Sequence, residues 1–363
     1  MSDIIRLLPD SVANQIAAGE VVQRPASAIK EMLENAIDSG ADAIELIVKD
    51  SGKTLIQVID NGCGMSPTDA RMSFERHATS KIKEAADLFK IHTFGFRGEA
   101  LASIAAIAQV ELKSRRHEDE LGTHIIIEGS AVKSQQPCAC SAGTSISVKN
   151  LFYNVPARRN FLKSDQAEMR HILDEFHRVV LVNPQIAFTL NSNGKIIFKL
   201  PATNLKLRIS NVFGANFHER LLPVNQESNV VKISGFVGKP DSARRTKGEQ
   251  FFFANNRFIK HPYLNHAVEE AFSELIPEGY FPTYFLFLEV DPASIDINIH
   301  PTKTEVNFQE HQVIYAMIRS AVKQAIGRFS FSSTLDFETE QSFQTYFPDR
   351  KSTRLNSSHG KLS

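Results

Sequence analysis

Glu31 and Asn35 stand one helical turn apart in the stretch ASAIKEMLENAID, residues 26–38. At about 100° per residue the two side chains rise from one stripe. Hydrolysis assisted by a hard cation uses such a pair. The amide oxygen suits magnesium, and the carboxylate orients or deprotonates a water. Glu34 and Asp38 share the stripe, which would look the same on a plain solvated face. A second group is Asp60-Asn61-Gly62-Cys63-Gly64. It sets an acid at a strand end with two glycines beyond it, so backbone can approach a flat ligand while the acid accepts a hydrogen bond. An ordinary turn uses Asn-Gly equally well. The third, Gly95-Phe96-Arg97-Gly98-Glu99, runs into an alanine-rich helix. Its glycines would leave N–H groups facing a phosphate chain, or serve as hinges of a connecting loop; a closing lid needs both. The spacing matches neither the P-loop nor the GxGxxG of a dinucleotide fold. Fourth, His300-Pro301-Thr302-Lys303-Thr304-Glu305 lifts Lys303 off a sheet edge, where it meets either a phosphate or only solvent.

The elements that must position these residues follow from periodicity. Pro25 suits a first helical position, Ser39-Gly40 a stop, and Ile29, Met32, Leu33, Ala36 and Ile37 form one buried stripe. Residues 43–50 and 54–60 alternate around Ser51-Gly52-Lys53, predicting a hairpin that ends at Asp60. Residues 9–22 predict a short helix and then an extended arm. Ser66-Pro67 opens a helix to about His77, with Ser66 as cap. Strands are expected at 109–115 and 121–128, from Gly143-Thr144 onward, and at 185–191 and 195–199 around Asn193-Gly194. A strand start explains Gly143-Thr144 as well as a pocket hydroxyl does. Arg158 and Arg159 precede a long helix at 165–182 that Pro184 ends. Pro201-Ala202-Thr203-Asn204 is the boundary. It divides 1–204 from a smaller α/β unit, 205–330, with helices at 205–213, 262–276 and 311–328 and strands near 220–224, 229–238, 249–256 and 284–290. Residues 331–363, polar with isolated Phe, read as a disordered tail, and its last segment KSTRLNSSHGKLS has no pattern that connects it to the rest and suggests a foreign origin.

The chain has 363 residues, 42% of them hydrophobic, enough for two cores. Lys plus Arg balance Asp plus Glu at 41 each, so nucleic-acid or membrane contact must come from local basic clusters. Cys63, Cys138 and Cys140 are too few and badly spaced for a disulfide framework or a four-ligand zinc site. The N-terminus lacks a signal-peptide pattern, and no apolar run approaches the roughly 20 residues of a membrane span. A cytoplasmic protein with reduced thiols and no membrane contact is expected.

Taken together, KEMLENAIDSGA, DNGCGM, ATSK, GFRGEAL, GT and HPTKTEV resemble, in order and spacing, the ATPase region of the MutL family of DNA mismatch-repair proteins. The match runs from about residue 4 to 328, with QIAAGEVVQRPASAIKE and GFRGEALASI close to family signatures. That family belongs to the GHKL ATPases, with gyrase B, the ninety-kilodalton heat-shock chaperone and histidine kinases. The resemblance implies a two-layer α/β sandwich that binds ATP and Mg2+, followed by a ribosomal-protein-like α/β domain. It implies that Glu31 is the general base, Asn35 the magnesium ligand and Asp60 the acid on the adenine amine. Gly64 gives the base access, Thr79, Ser80 and Lys81 lie in the lid, and Gly95, Phe96, Arg97 and Gly98 cradle phosphates. Thr144 supports the adenine side, and Lys303 reaches the γ-phosphate. It also implies slow hydrolysis timing an ATP-dependent homodimer that binds DNA and passes mismatch recognition to a downstream nuclease or helicase, placing the protein near the nucleoid. Basic candidates for DNA contact are Arg158, Arg159, Arg244, Arg245, Lys247, Arg257 and Lys260, each equally an ordinary surface position. These residues hold no segment that resembles the family's C-terminal dimerisation domain, so nicking activity is not expected of them. Competing readings are a nucleotide-gated DNA-binding module and a gyrase-like relative.

Overall fold

The computed structural model describes residues 7–79, 98–296 and 306–341. The chain opens with helix α1 (Asp10–Val21) and α2 (Pro25–Asp38), then β1 (Ala43–Lys49), β2 (Leu55–Asp60) and the short α3 (Pro67–Met72). There follow α4 (Ala100–Ile107), β3 (Gln109–Arg115), β4 (Gly122–Glu128), β5 (Ala131–Cys138), β6 (Gly143–Lys149), α5 (Pro156–Phe161), α6 (Asp165–Val182), β7 (Ala187–Ser192) and β8 (Lys195–Leu200). These strands form one sheet in the order β5-β4-β3-β6-β2-β1-β7-β8, antiparallel except between β1 and β7.

One face of that sheet is covered by helices. Alternation puts Ile44, Leu46 and Val48 of β1, Ile56 and Val58 of β2, Val110 and Leu112 of β3, and Ile146 and Val148 of β6 into one core, all less than a tenth exposed. Ile29, Met32, Leu33 and Ala36 of α2 complete it from above. α2 therefore lies with its apolar stripe on the sheet, as its 3.6-residue period requires. The polar stripe of Glu31, Glu34, Asn35 and Asp38 stays half-buried along the helix flank.

Beyond Pro201 come α7 (Leu205–Phe213), α8 (Phe217–Arg220), β9 (Leu221–Glu227), β10 (Lys232–Gly238), β11 (Gln250–Ala254), β12 (Arg257–Ile259), α9 (Pro262–Phe272), β13 (Tyr284–Glu289), β14 (Ile295–Asp296), β15 (Asn307–Phe308) and α10 (His311–Gln341). Their main sheet runs β12-β11-β13-β10-β9 and is buried on both faces. Phe252, Tyr284, Leu286 and Leu288 face α9 and α10. Phe251, Phe253 and Phe285 face the other way, toward Leu181 of α6 and Ile209 of α7. The fully buried Arg208 closes this junction, donating to the carbonyls of Val180, Pro184, Ile186 and Pro201 at 2.7–3.3 Å.

The observed elements depart from the sequence reading in places. No extended arm follows residue 9: α1 stays helical to Val21 because Ala18 is fully buried there and the helix packs on α4. α3 stops at Met72, well short of His77, although Ser66 caps it as expected, its hydroxyl accepting from Asp69 N at 3.1 Å. β5, α5, α8 and β12 carried no clear periodic signal and were not anticipated. α10 continues to Gln341, eleven residues into the stretch read as a disordered tail; residues 342–363 lie outside the described ones.

Candidate functional site

Four inward rows of the eight-stranded sheet change character at the same end. Register aligns Asp60 of β2 with Thr144 of β6, Thr144 with Ser114 of β3, and Ser114 with Thr123 of β4. Each ends a row of aliphatic residues, yet exposures are only 9, 8, 0 and 2% respectively. Four buried polar side chains in a line need partners, because an unsatisfied one costs roughly 1–3 kcal/mol.

The partners build a rigid floor. Asp60 accepts from Gly62 N at 3.0 Å, and Ser39 Oγ lies 3.4 Å from the same oxygen. Burial pushes the Asp60 carboxyl above its ordinary value, against the opposing pull of the Gly62 N–H, the Ser39 hydroxyl and the Thr144 N–H. Ser114 Oγ accepts from Met65 N at 2.9 Å and lies 3.1 Å from Gly143 O and 2.9 Å from Thr144 Oγ1. Asn61 turns away: its Oδ1 accepts from Asp42 N and Ala43 N at 3.1 and 3.0 Å, securing the start of β1.

The turn after Asp60 also fastens α2 to the sheet. Ser39, the residue capping the end of α2, accepts from Cys63 N at 3.0 Å through its carbonyl. Asn35 lies one turn back from Ser39 and Glu31 two turns back, roughly 6 and 12 Å along the axis. An acid and an amide-carboxylate pair thus stand along one line. Neighbouring charge matters here: burial presses the Lys30 ammonium down, but Glu34, Glu31 and Glu175 outweigh it and hold Lys30 above its ordinary value.

Gly64 has a structural reason to be glycine beside the ligand access its sequence suggests. Its φ is +68°, and an added Cβ would lie 2.1 Å from Arg115 O. The close approach is to β3 rather than to open space, so the glycine shapes the turn. Gly98 makes a similar contact. Its φ is +61°, and a Cβ would lie 2.2 Å from Ala78 O. Residues 78 and 98 therefore touch, and His77 Nδ1 lies 3.5 Å from Glu99 Oε1. Half-buried Thr79 stands beside this junction. Ser80, Lys81, Gly95, Phe96 and Arg97 lie outside the described residues, as does Lys303, whose flanks are joined by the Asp296–Asn307 pairing of β14 and β15.

The basic candidates separate. Arg158 Nη1 donates to Val22 O at 3.1 Å at the end of α1, and a Cβ on Gly19 would strike its guanidinium, so Arg158 secures α1. Arg159 is exposed on α5. Arg244, Arg245 and Lys247 form an exposed strip laid on aromatic rings, with cation-to-centroid distances of 5.8 Å to Phe217, 5.3 Å to Tyr280 and 4.5 Å to Phe281. Arg257 of β12 is half-buried, close enough to Lys30 to oppose its charge, while Lys260 is exposed.

Sequence reasoning missed Ser114, Thr123 and Ser39. The only signal available for the first two was a hydroxyl where an alternating apolar row should have continued.

A magnesium nucleotide fits this donor set. Among the described residues no three His, Cys, Asp or Glu side chains gather into a metal cluster. Mg2+ with a nucleotide takes most of its oxygens from phosphates and water, needing only one or two protein ligands. Asn35 meets that need, which leaves Glu31 for the water.

An ATPase of the gyrase, heat-shock-chaperone and histidine-kinase type is the class that this fold defines. A family model described as "Histidine kinase-, DNA gyrase B-, and HSP90-like ATPase" matches residues 23–151, and one described as "DNA mismatch repair protein, C-terminal domain" matches 209–327. Among solved structures, the N-terminal domain of a DNA repair protein is 24% identical with a TM-score of 0.75, covering 88% of this chain and 99% of that one. The Aquifex aeolicus MutL ATPase domain complexed with ADP is 24% identical with a TM-score of 0.59, covering 82% and 98%. The DNA mismatch repair protein MutL of Christiangramia forsetii is 61% identical over 95% of this chain and 56% of its own length; that of Phocaeicola vulgatus is 58% identical over 94% and 55%. The chain belongs to the MutL family of DNA mismatch-repair proteins. It spans little more than half the length of these relatives.

Proposed function

We propose that the chain binds Mg-ATP at the polar end of the eight-stranded sheet and hydrolyses it slowly to drive a mismatch-repair cycle. The observation that carries this reading is the buried Asp60 carboxylate at a strand end, held by surrounding N–H and hydroxyl groups and aligned with the Glu31–Asn35 stripe. Residues 1–204 would form the nucleotide-binding domain, and 205–330 a transducer-like second domain.

Asp60 and Thr144 would hold the adenine amine, and Asn35 would supply its side-chain oxygen to magnesium. Bound Mg2+ would neutralise phosphate charge. Glu31 would orient a water and accept its proton. Thr79, Ser80 and Lys81 would belong to the lid, the N–H groups of residues 95–98 would face the phosphates, and Lys303 would reach the terminal one.

Ordering of the lid by ATP would let two copies pair, and hydrolysis would release them. The dimer would bind DNA and relay recognition of a mismatch to a downstream nuclease or helicase. The strip of Arg244, Arg245 and Lys247 supports DNA contact best, since exposed cations on aromatic supports suit phosphates. Arg158 supports it least, being tied to α1.

Isothermal titration tests the reading. Wild type should bind Mg-ATP, and Asp60→Asn should lose about 1.5–3 kcal/mol of binding, the worth of one hydrogen bond to a charged group. Unchanged affinity in that variant would exclude Asp60 as the adenine ligand.

A further inference from the structure

Ser114 is fully buried, belongs to no recognised motif, and meets three polar atoms at once: Met65 N at 2.9 Å, Gly143 O at 3.1 Å and Thr144 Oγ1 at 2.9 Å. A serine hydroxyl has one proton and two lone pairs. Met65 N–H takes one lone pair. Gly143 O can only accept, so it claims the proton. The remaining lone pair then accepts the proton of Thr144. This arrangement satisfies every group in the cluster without water. It also has a consequence one residue further along the row. With its proton committed to Ser114, the Thr144 hydroxyl keeps only lone pairs to offer elsewhere.

We infer that Ser114 is a positioning residue that sets the base specificity of the pocket by fixing the Thr144 hydroxyl as an acceptor beside the Asp60 carboxylate. The inference rests on the nucleotide reading given above. Asp60 and Thr144 are adjacent in register, and the Thr144 N–H itself donates to the Asp60 carboxylate. Two neighbouring acceptors suit an exocyclic amine, which carries two N–H donors. They repel a purine that has a carbonyl oxygen at that position, because a buried acceptor facing an acceptor leaves both without a partner. Removing Ser114 frees the Thr144 proton to turn outward and meet such a carbonyl. Ser114 also ties the turn after Gly64 to the same point through Met65 N, so one hydroxyl aligns both walls of the base site.

The test is the ratio of dissociation constants for ITP and ATP, which differ by carbonyl against amine at one ring position, measured by isothermal titration with magnesium. Wild type should prefer ATP. Ser114→Ala should shrink that preference by about tenfold. Ser114→Cys fills the same volume while hydrogen-bonding weakly. It should shrink the ratio as Ala does, which separates lost polarity from a cavity or a folding defect. In a Thr144→Val background neither substitution should shift the ratio further. A wild-type ITP-to-ATP ratio in Ser114→Cys, or an undiminished effect when Thr144 is already Val, would overturn the assignment while leaving the nucleotide site standing. Absence of ATP binding by the wild-type chain would overturn both.

Discussion

The two large sheets obey one rule of alternation and put it to different uses. In the eight-stranded sheet, Ile56–Val58, Val110–Leu112, Ile125–Ile127 and Ile146–Val148 fill the space under the helices, and each row then ends in Asp60, Ser114, Thr123 or Thr144. In the five-stranded sheet, Phe285 lies on one face with Tyr284, Leu286 and Leu288 on the other, and the rows are mostly apolar or aromatic, with Gln226 of β9 reaching Met317 of α10 as a polar exception. Tyr284, another, spends its hydroxyl on Asn265 Oδ1 at 2.8 Å. A sheet covered on both faces by greasy side chains is a brace. One that keeps hydrogen-bonding groups at one end of its covered face suits the ligand proposed for it.

The largest effect should come from breaking the brace. Phe285 is fully buried among Phe213, Phe217 and Phe251, so Phe285→Ala should cost about 3–5 kcal/mol in urea unfolding. A cost below about 1 kcal/mol would mean that the second sheet does not support the fold as described.

A smaller effect should mark the polar end through pH. The Asp60 carboxyl is held above 3.8, chiefly by burial. A carboxyl raised in the folded state contributes stability that is complete below pH 3.8 and lost as pH climbs through its folded-state value. Wild type should therefore lose melting temperature relative to Asp60→Asn between pH 4 and neutrality. Parallel melting curves across that range would contradict a buried, ionising Asp60.

The smallest effect belongs to the sheet's outer face. There Lys149, with help from Lys113 and against some burial, holds the Glu111 carboxyl down at about 2. Its contribution is present above pH 4.5 and fades as pH falls toward 2. Because solvent reaches this face, Glu111→Gln should cost less than about 1 kcal/mol at pH 7, and the cost should vanish as pH falls through 2. A large cost at neutral pH would make the outer face structurally important too.

Much of this was legible in the chain. The α2 stripe, the hairpin ending at Asp60 and the Ser66 cap are local, and local periodicity reveals them. Ser114 and Thr123 were not legible because a hydroxyl near a strand end looks ordinary. Its meaning comes from registry with Asp60 and Thr144, which lie far off in sequence. The contact that requires glycine at position 64 was hidden in the same way, because the Arg115 carbonyl it approaches lies on β3, far along the chain. The helical stretch 331–341 escaped because its polar composition gave no apolar stripe to follow.

Single-turnover phosphate release by Glu31→Ala, measured beside Mg-ATP binding by the same variant, reaches the central claim most directly. Retained binding with hydrolysis abolished is the expected pair of results. Release at a rate comparable to wild type would remove Glu31 as the group that takes the proton from water, and with it the chemistry assigned to α2.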